Sequence, residues 1–149
     1  MARHPRWVRR FLKEADLGAI ARAVAEAERY TSAEIRVHLD HRCPGDAMQR
    51  AVAVFERLGM HRTVERHGVL IYVAVADRKL AVIGDAGIHE RVGEAYWRDL
   101  VTAITGHFGK EHPRAGFVHA ITELGRILRR HFPRGPDDTD ELANDVSIG

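Results

Sequence analysis

Cysteine occurs once in the 149 residues, proline five times and lysine three times, and each scarcity removes a class of explanation. A single thiol, Cys43, can close no internal disulfide, so stability does not call for an oxidising compartment. It sits in His41-Arg42-Cys43-Pro44-Gly45, a loop-forming string, as an ordinary loop thiol. No apolar run approaches the roughly 18 to 20 residues of a membrane span. The basic N-terminal stretch lacks the apolar core of a signal peptide, so the expected compartment is the cytoplasm, with no transmembrane segment. The net charge of +2 is too small to call for nucleic acid. There is no G-x-G-x-x-G spacing, no H-E-x-x-H and no Cys/His cluster of finger type. Neither an organic cofactor nor a zinc centre is therefore expected, despite ten histidines.

What is present describes one globular unit. At 149 residues, with 45% hydrophobic and 30% charged, the chain can bury a core without staples. Its ends are charge-segregated: five Lys/Arg and no acid from Met1 to Lys13, five Asp/Glu and no base from Gly135 to Gly149. Solvated ends are the default expectation, with the domain over 1–134 and an acidic, flexible tail over 135–149. An amphipathic surface role for Trp7, Val8, Phe11 and Leu12 is the alternative.

Between the ends, periodicity alternates in kind. Leu17, Ile20, Val24 and Ala27 form a helical stripe ending at Thr31-Ser32. Glu34 to Asp40 alternates polar with apolar, the mark of a half-buried strand. Asp46 caps a helix running to about Leu58, which Gly59 stops. Val69 to Val75 is continuous and β-branched, a central strand covered on both faces. The tight Ala76-Asp77-Arg78-Lys79 connection makes Leu80 to Ile83 its antiparallel neighbour. One helix is expected from about Ile88 to Phe108 and another from Ala115 to His131. The fold class is α/β, with a sheet of three or four strands and helices on both faces.

Topology groups the polar residues. Strands one and two, joined through a helix, are parallel; strand three is antiparallel to two. Thr31, Ser32 and Glu34, the segment from His61 to His67, and Asp85 then share one edge of the sheet. Asp40 and Asp77 share the other. Asp85 precedes a helix, where an aspartate caps the first turn, binds a divalent cation, or acts in acid–base or nucleophilic chemistry. Glu34 and Arg36 lie on one face of their strand. Gly84 and Gly87 suit a tight turn or the close approach of a ligand.

Several blocks in order resemble the TPM domain family: Thr31-Ser32-Ala33-Glu34-Ile35-Arg36-Val37, Ala53-Val54-Phe55 with Leu58-Gly59-Met60, Gly68-Val69-Leu70-Ile71-Tyr72-Val73-Ala74, and Gly84-Asp85-Ala86-Gly87-Ile88-His89. The resemblance spans about Phe11 to Pro133. It implies a three-layer α/β/α sandwich with a short mixed sheet, Rossmann-like in outline. The family includes a thylakoid lumen protein linked to photosystem II repair; a plant member is described as an acid phosphatase, and calcium is associated with the fold. Asp85 matches the aspartate of the family's Gly-Asp-x-Gly turn. Arg66-His67-Gly68 stands where members commonly have Arg-Asn-Gly, so no role needing that amide carries over.

Two expectations follow. The first is a divalent-cation-binding interaction or regulatory module, with calcium or magnesium on Asp85 and Glu34 and a protein partner. The second is a weak metal-dependent acid phosphatase acting on small phosphate esters. The anion would meet Arg36 or Arg62, with Thr31, Ser32, His67, Gly84 and Gly87 lining the site.

Overall fold

Strand alternation decides how the layers assemble. In the computed structural model, which describes residues 4–62, 67–110, 113–135 and 144–149, β1 spans Glu34–Asp40. It sends Ile35, Val37 and Leu39 into the main core. The alternate residues, Glu34, Arg36, His38 and Asp40, face the other way. β2 (Gly68–Ala74) is buried along its whole length: Val69, Ile71 and Val73 join the main core, while Leu70, Tyr72 and Ala74 meet a second, smaller one. Helix α3 (Ala47–Arg57), capped by Asp46 through Gln49 N–H, supplies Ala51, Val54 and Phe55 to that second core. The opposite layer holds α1 (Arg6–Phe11), α2 (Glu14–Glu28), α4 (Ala86–Val92), α5 (Glu94–Lys110) and α6 (Pro113–His131). The result is the α/β/α sandwich expected.

The sheet is short and mixed. β1 and β2 pair in parallel from Glu34↔Gly68 to Asp40↔Ala74. β3 (Lys79–Gly84) runs antiparallel to β2 from Val69↔Gly84 to Ala74↔Lys79. The strand order is β3-β2-β1-β4, where β4 is the short strand Ser147–Ile148.

Three elements depart from the sequence expectation. The basic N-terminal stretch is not simply solvated: α1 buries Val8, and Leu12 follows it into the core. The single helix expected from Ile88 to Phe108 is two, because Gly93 has φ +90°, which halts a right-handed helix and is strained for any L side chain. The acidic end, expected as a tail, returns to the sheet. Ser147–Ile148 form β4, parallel to β1 with His38↔Ser147 and Leu39↔Ile148; residues 136–143 lie outside the described residues. Among the described residues, no helix is long and apolar enough to cross a membrane.

Candidate functional site

Register builds the first edge. Glu34 pairs with Gly68, and the Asp85 N–H donates to the Gly68 carbonyl at 2.8 Å. Glu34, Gly68 and Asp85 therefore form one cross-strand row. At a strand spacing of about 4.8 Å, the two acids lie about 10 Å apart at Cα. The middle residue has no side chain of its own, and Met60 Cε and Phe55 Cε2 lie 3.5 and 3.6 Å from where its Cβ would stand. Both acids are buried, at 5% and 6% exposure. Asp85 is also the N-cap of α4, its Oδ1 accepting from Ala86 N–H at 2.8 Å.

The other expected residues divide. Thr31 is buried and committed to architecture: its hydroxyl donates toward the carbonyls of Phe132 (2.6 Å) and Leu128 (3.2 Å) and accepts from Ala33 N–H. It pins the end of α6 to the start of β1. Ser32 Oγ lies 3.3 Å from His67 Nδ1, a hydroxyl–imidazole pair within the edge. The His67 ring packs on Phe132 with centroids 4.1 Å apart. Arg36 sits two residues along β1 from Glu34, its Nε buried and without a hydrogen bond among the described residues. Arg62 closes the 3-10 turn Met60–Arg62, and its side chain lies outside the described residues. Gly84 is explained by packing. A Cβ there would stand 2.8 Å from Trp97 Cζ2 and 3.0 Å from Ile88 Cγ2, so the glycine admits α5 rather than a ligand. Gly87 lies in the first turn of α4 without a positive φ.

Arginines rim this end of the molecule. Arg91 lies over the Phe132 ring at 5.8 Å, and Arg29 and Arg129 both approach the ring of Tyr30, at 5.6 and 5.9 Å. Tyr30 is 48% exposed. Two buried carboxylates at one sheet edge can serve a divalent cation. Oxygen donors suit calcium or magnesium. Among the described residues, however, no three His, Cys, Asp or Glu side chains converge. Glu34 and Asp85 would thus be the only acidic ligands from that set. One or two carboxylates completed by water and ligand oxygens is the habit of magnesium more than of an all-protein calcium cage.

The opposite edge holds a polar network that spacing did not reveal. Asp40 Oδ2 accepts from Arg50 Nε (2.8 Å) and the Tyr72 hydroxyl (2.7 Å), and Oδ1 from His38 Nε2 (2.9 Å). Burial works against the charged carboxylate, yet the bonds from Arg50, Tyr72 and His38 outweigh it and hold its pKa at about 2. Burial also lowers the pKa of His38 despite its Asp40 partner. With Nε2–H donating to Asp40, Nδ1 is left to accept from Ser147 Oγ at 2.9 Å. Hydroxyl, imidazole and carboxylate follow one another as in a hydrolase triad. Here the imidazole is fully buried, and the chain acts as a strut between strands. The available signal was the face of β1 itself: Glu34, Arg36, His38 and Asp40 make a polar stripe that a covered sheet must satisfy.

The TPM domain matches residues 8–127. The solution structure of the BA42 protein from the psychrophilic bacterium Bizionia argentinensis is similar at 40% identity. It superposes with a TM-score of 0.87 over 93% of this chain and 96% of that one. No functionally curated protein matches at comparable significance. With matched sequence blocks, sheet order and layers in agreement, the chain belongs to the TPM domain family.

Proposed function

We propose that this protein is a binding module that takes a divalent cation, calcium or magnesium, at the edge formed by Glu34 and Asp85, and that regulates or bridges a protein partner there. The observation that carries this reading is the row Glu34–Gly68–Asp85, two buried acids flanking a residue without a side chain. Two buried acids at one sheet edge offer the hard oxygen donors that calcium and magnesium take. The bound cation supplies charge neutralisation and an attachment point for a ligand's oxygens. Ser32 and Arg36 flank that point.

Calorimetric titration with calcium and with magnesium tests this. Asp85→Asn keeps the helix cap, since Asn caps as well as Asp, but removes the charge. Binding in the wild type that falls at least about tenfold in Asp85→Asn, equivalent to about 1.4 kcal/mol, is the expected result. No heat at millimolar cation, or equal heat in the variant, would sink the proposal.

A second reading, hydrolysis of phosphate monoesters, draws on the Ser32–His67 contact at 3.3 Å and on the buried Nε of Arg36. Turnover of p-nitrophenyl phosphate that disappears in both Asp85→Asn and Arg36→Met would support it. Turnover surviving in either would count against it.

A further inference from the structure

At the far end of β1, the molecule selects what can lie along the strand. β4 is only two residues long, yet its neighbourhood imposes four separate requirements. The backbone must be extended: His38 and Leu39 pair with Ser147 and Ile148, and Gly149 N–H donates to the Leu39 carbonyl at 2.8 Å. Two aliphatic side chains must face the main core, where Val146 is 9% exposed and Ile148 packs alongside. A hydroxyl must sit between them, because His38 Nδ1 accepts from Ser147 Oγ. The last position must lack a side chain, because a Cβ on Gly149 would collide with the Asp40 carboxylate and lie 2.9 Å from His38 Nε2.

The polar floor does not depend on its occupant. Arg50 and Tyr72 hold Asp40, and Asp40 holds His38. At the other end of β1 the edge is closed, since the Glu28 carboxylate takes the Ile35 N–H at 2.7 Å. The open portion is thus a short slot and not a bare sheet edge. Strand addition of this kind draws affinity from main-chain bonds and specificity from alternate side-chain sites.

We infer that this part of β1 is a peptide-recognition slot. It takes an extended segment of a partner protein reading aliphatic, serine, aliphatic, glycine, and residues 146–149 fill it as a built-in competitor. Two paired residues, the Gly149 N–H bond, one side-chain hydrogen bond and two aliphatic contacts make a short hold. Attachment to the same chain makes up for it, by an effective concentration of about millimolar. A partner matching the four positions displaces the competitor, and releasing the competitor raises apparent affinity.

The test uses the full chain and a dye-labelled hexapeptide of residues 144–149, followed by fluorescence anisotropy. Gly149→Val expels the competitor by steric collision with Asp40. Ile148→Asp expels it independently, by placing a charge against the core. The peptide is expected to bind each variant at least about tenfold more tightly than the wild type. Replacing the peptide's serine by alanine or its glycine by valine should weaken binding about tenfold, and amide shifts should map to Val37–Asp40. If the segment has left in the variants and no peptide binds, the slot is refuted. A segment that stays seated in both refutes the selectivity of its subsites. A concentration-dependent wild-type dimer exchanging 146–149 would make a second copy the occupant and overturn the partner-protein assignment.

Discussion

Replacing Asp40 by asparagine destabilises the protein by an amount that depends on pH, and that dependence is the informative quantity. The folded carboxyl titrates at about 2 where its ordinary value is 3.8. A group whose pKa is lower in the folded state stabilises above the unfolded value, and the contribution is lost as pH falls through the folded value. Nearly two pK units at 1.36 kcal/mol each is about 2 kcal/mol. All of it is present at neutral pH, about half remains near pH 3, and little survives at pH 2. Asparagine has the same shape and does not titrate. Its one oxygen can still accept from Arg50 and the Tyr72 hydroxyl, but its amide group then faces the His38 Nε2–H, which loses its acceptor. The expected deficit is about 3 to 4 kcal/mol at pH 7, narrowing by about 2 kcal/mol toward pH 2. Urea unfolding of both proteins at pH 7, 4, 3 and 2.5 measures it, and the wild-type/variant difference cancels the other carboxylates. A gap that stays constant across that range would show that Asp40 is not held by its three donors, and the network account would fail.

Other substitutions probe packing. Gly84→Ala forces a Cβ to within 2.8 Å of Trp97 and 3.0 Å of Ile88 and should cost about 1 to 3 kcal/mol, read as a lower urea midpoint at unchanged slope. Thr31→Val is nearly isosteric but deletes the hydroxyl that ties Ala33, Leu128 and Phe132 together. It should lose about 1 to 3 kcal/mol while leaving cation affinity within about twofold; a large affinity loss would make Thr31 a ligand after all. Gly125→Ala presses on Ala27 Cβ at 2.8 Å, so thermal unfolding should fall by several degrees, about 1 to 3 kcal/mol, as α2 and α6 are driven apart.

Much of the fold was legible because its signals are local. β1 lies at Glu34–Asp40, the bounds that alternation assigns, and α3 stops where Gly59 adopts φ +74°. The parallel and antiparallel pairings followed from connection lengths, and they placed Glu34, His67 and Asp85 on one edge and Asp40 and Asp77 on the other. What was not legible depends on distant partners. Two residues, Ser147 and Ile148, carry no periodicity, and only pairing with β1 makes them a strand. Val8 and Leu12 sit in a basic string whose burial needs a core to receive them. Gly93 looks like any helical glycine until its φ is known. The Asp40 network draws on β1, β2, α3 and β4, and no sequence spacing joins those four. Gly84 went the other way: it looked like room for a ligand and is filled by Trp97.

If Glu34 and Asp85 hold a divalent cation between them, the surrounding amides report it. Amide-resolved NMR titration of the full chain with magnesium and then calcium tests it most directly. Saturable shifts are expected at Ser32 to Arg36, Gly68, and Gly84 to Ile88, abolished in Asp85→Asn while α4 stays folded. Shifts confined to the loop around Asp46 and Asp77, or none at 10-fold excess over about millimolar cation, would contradict it.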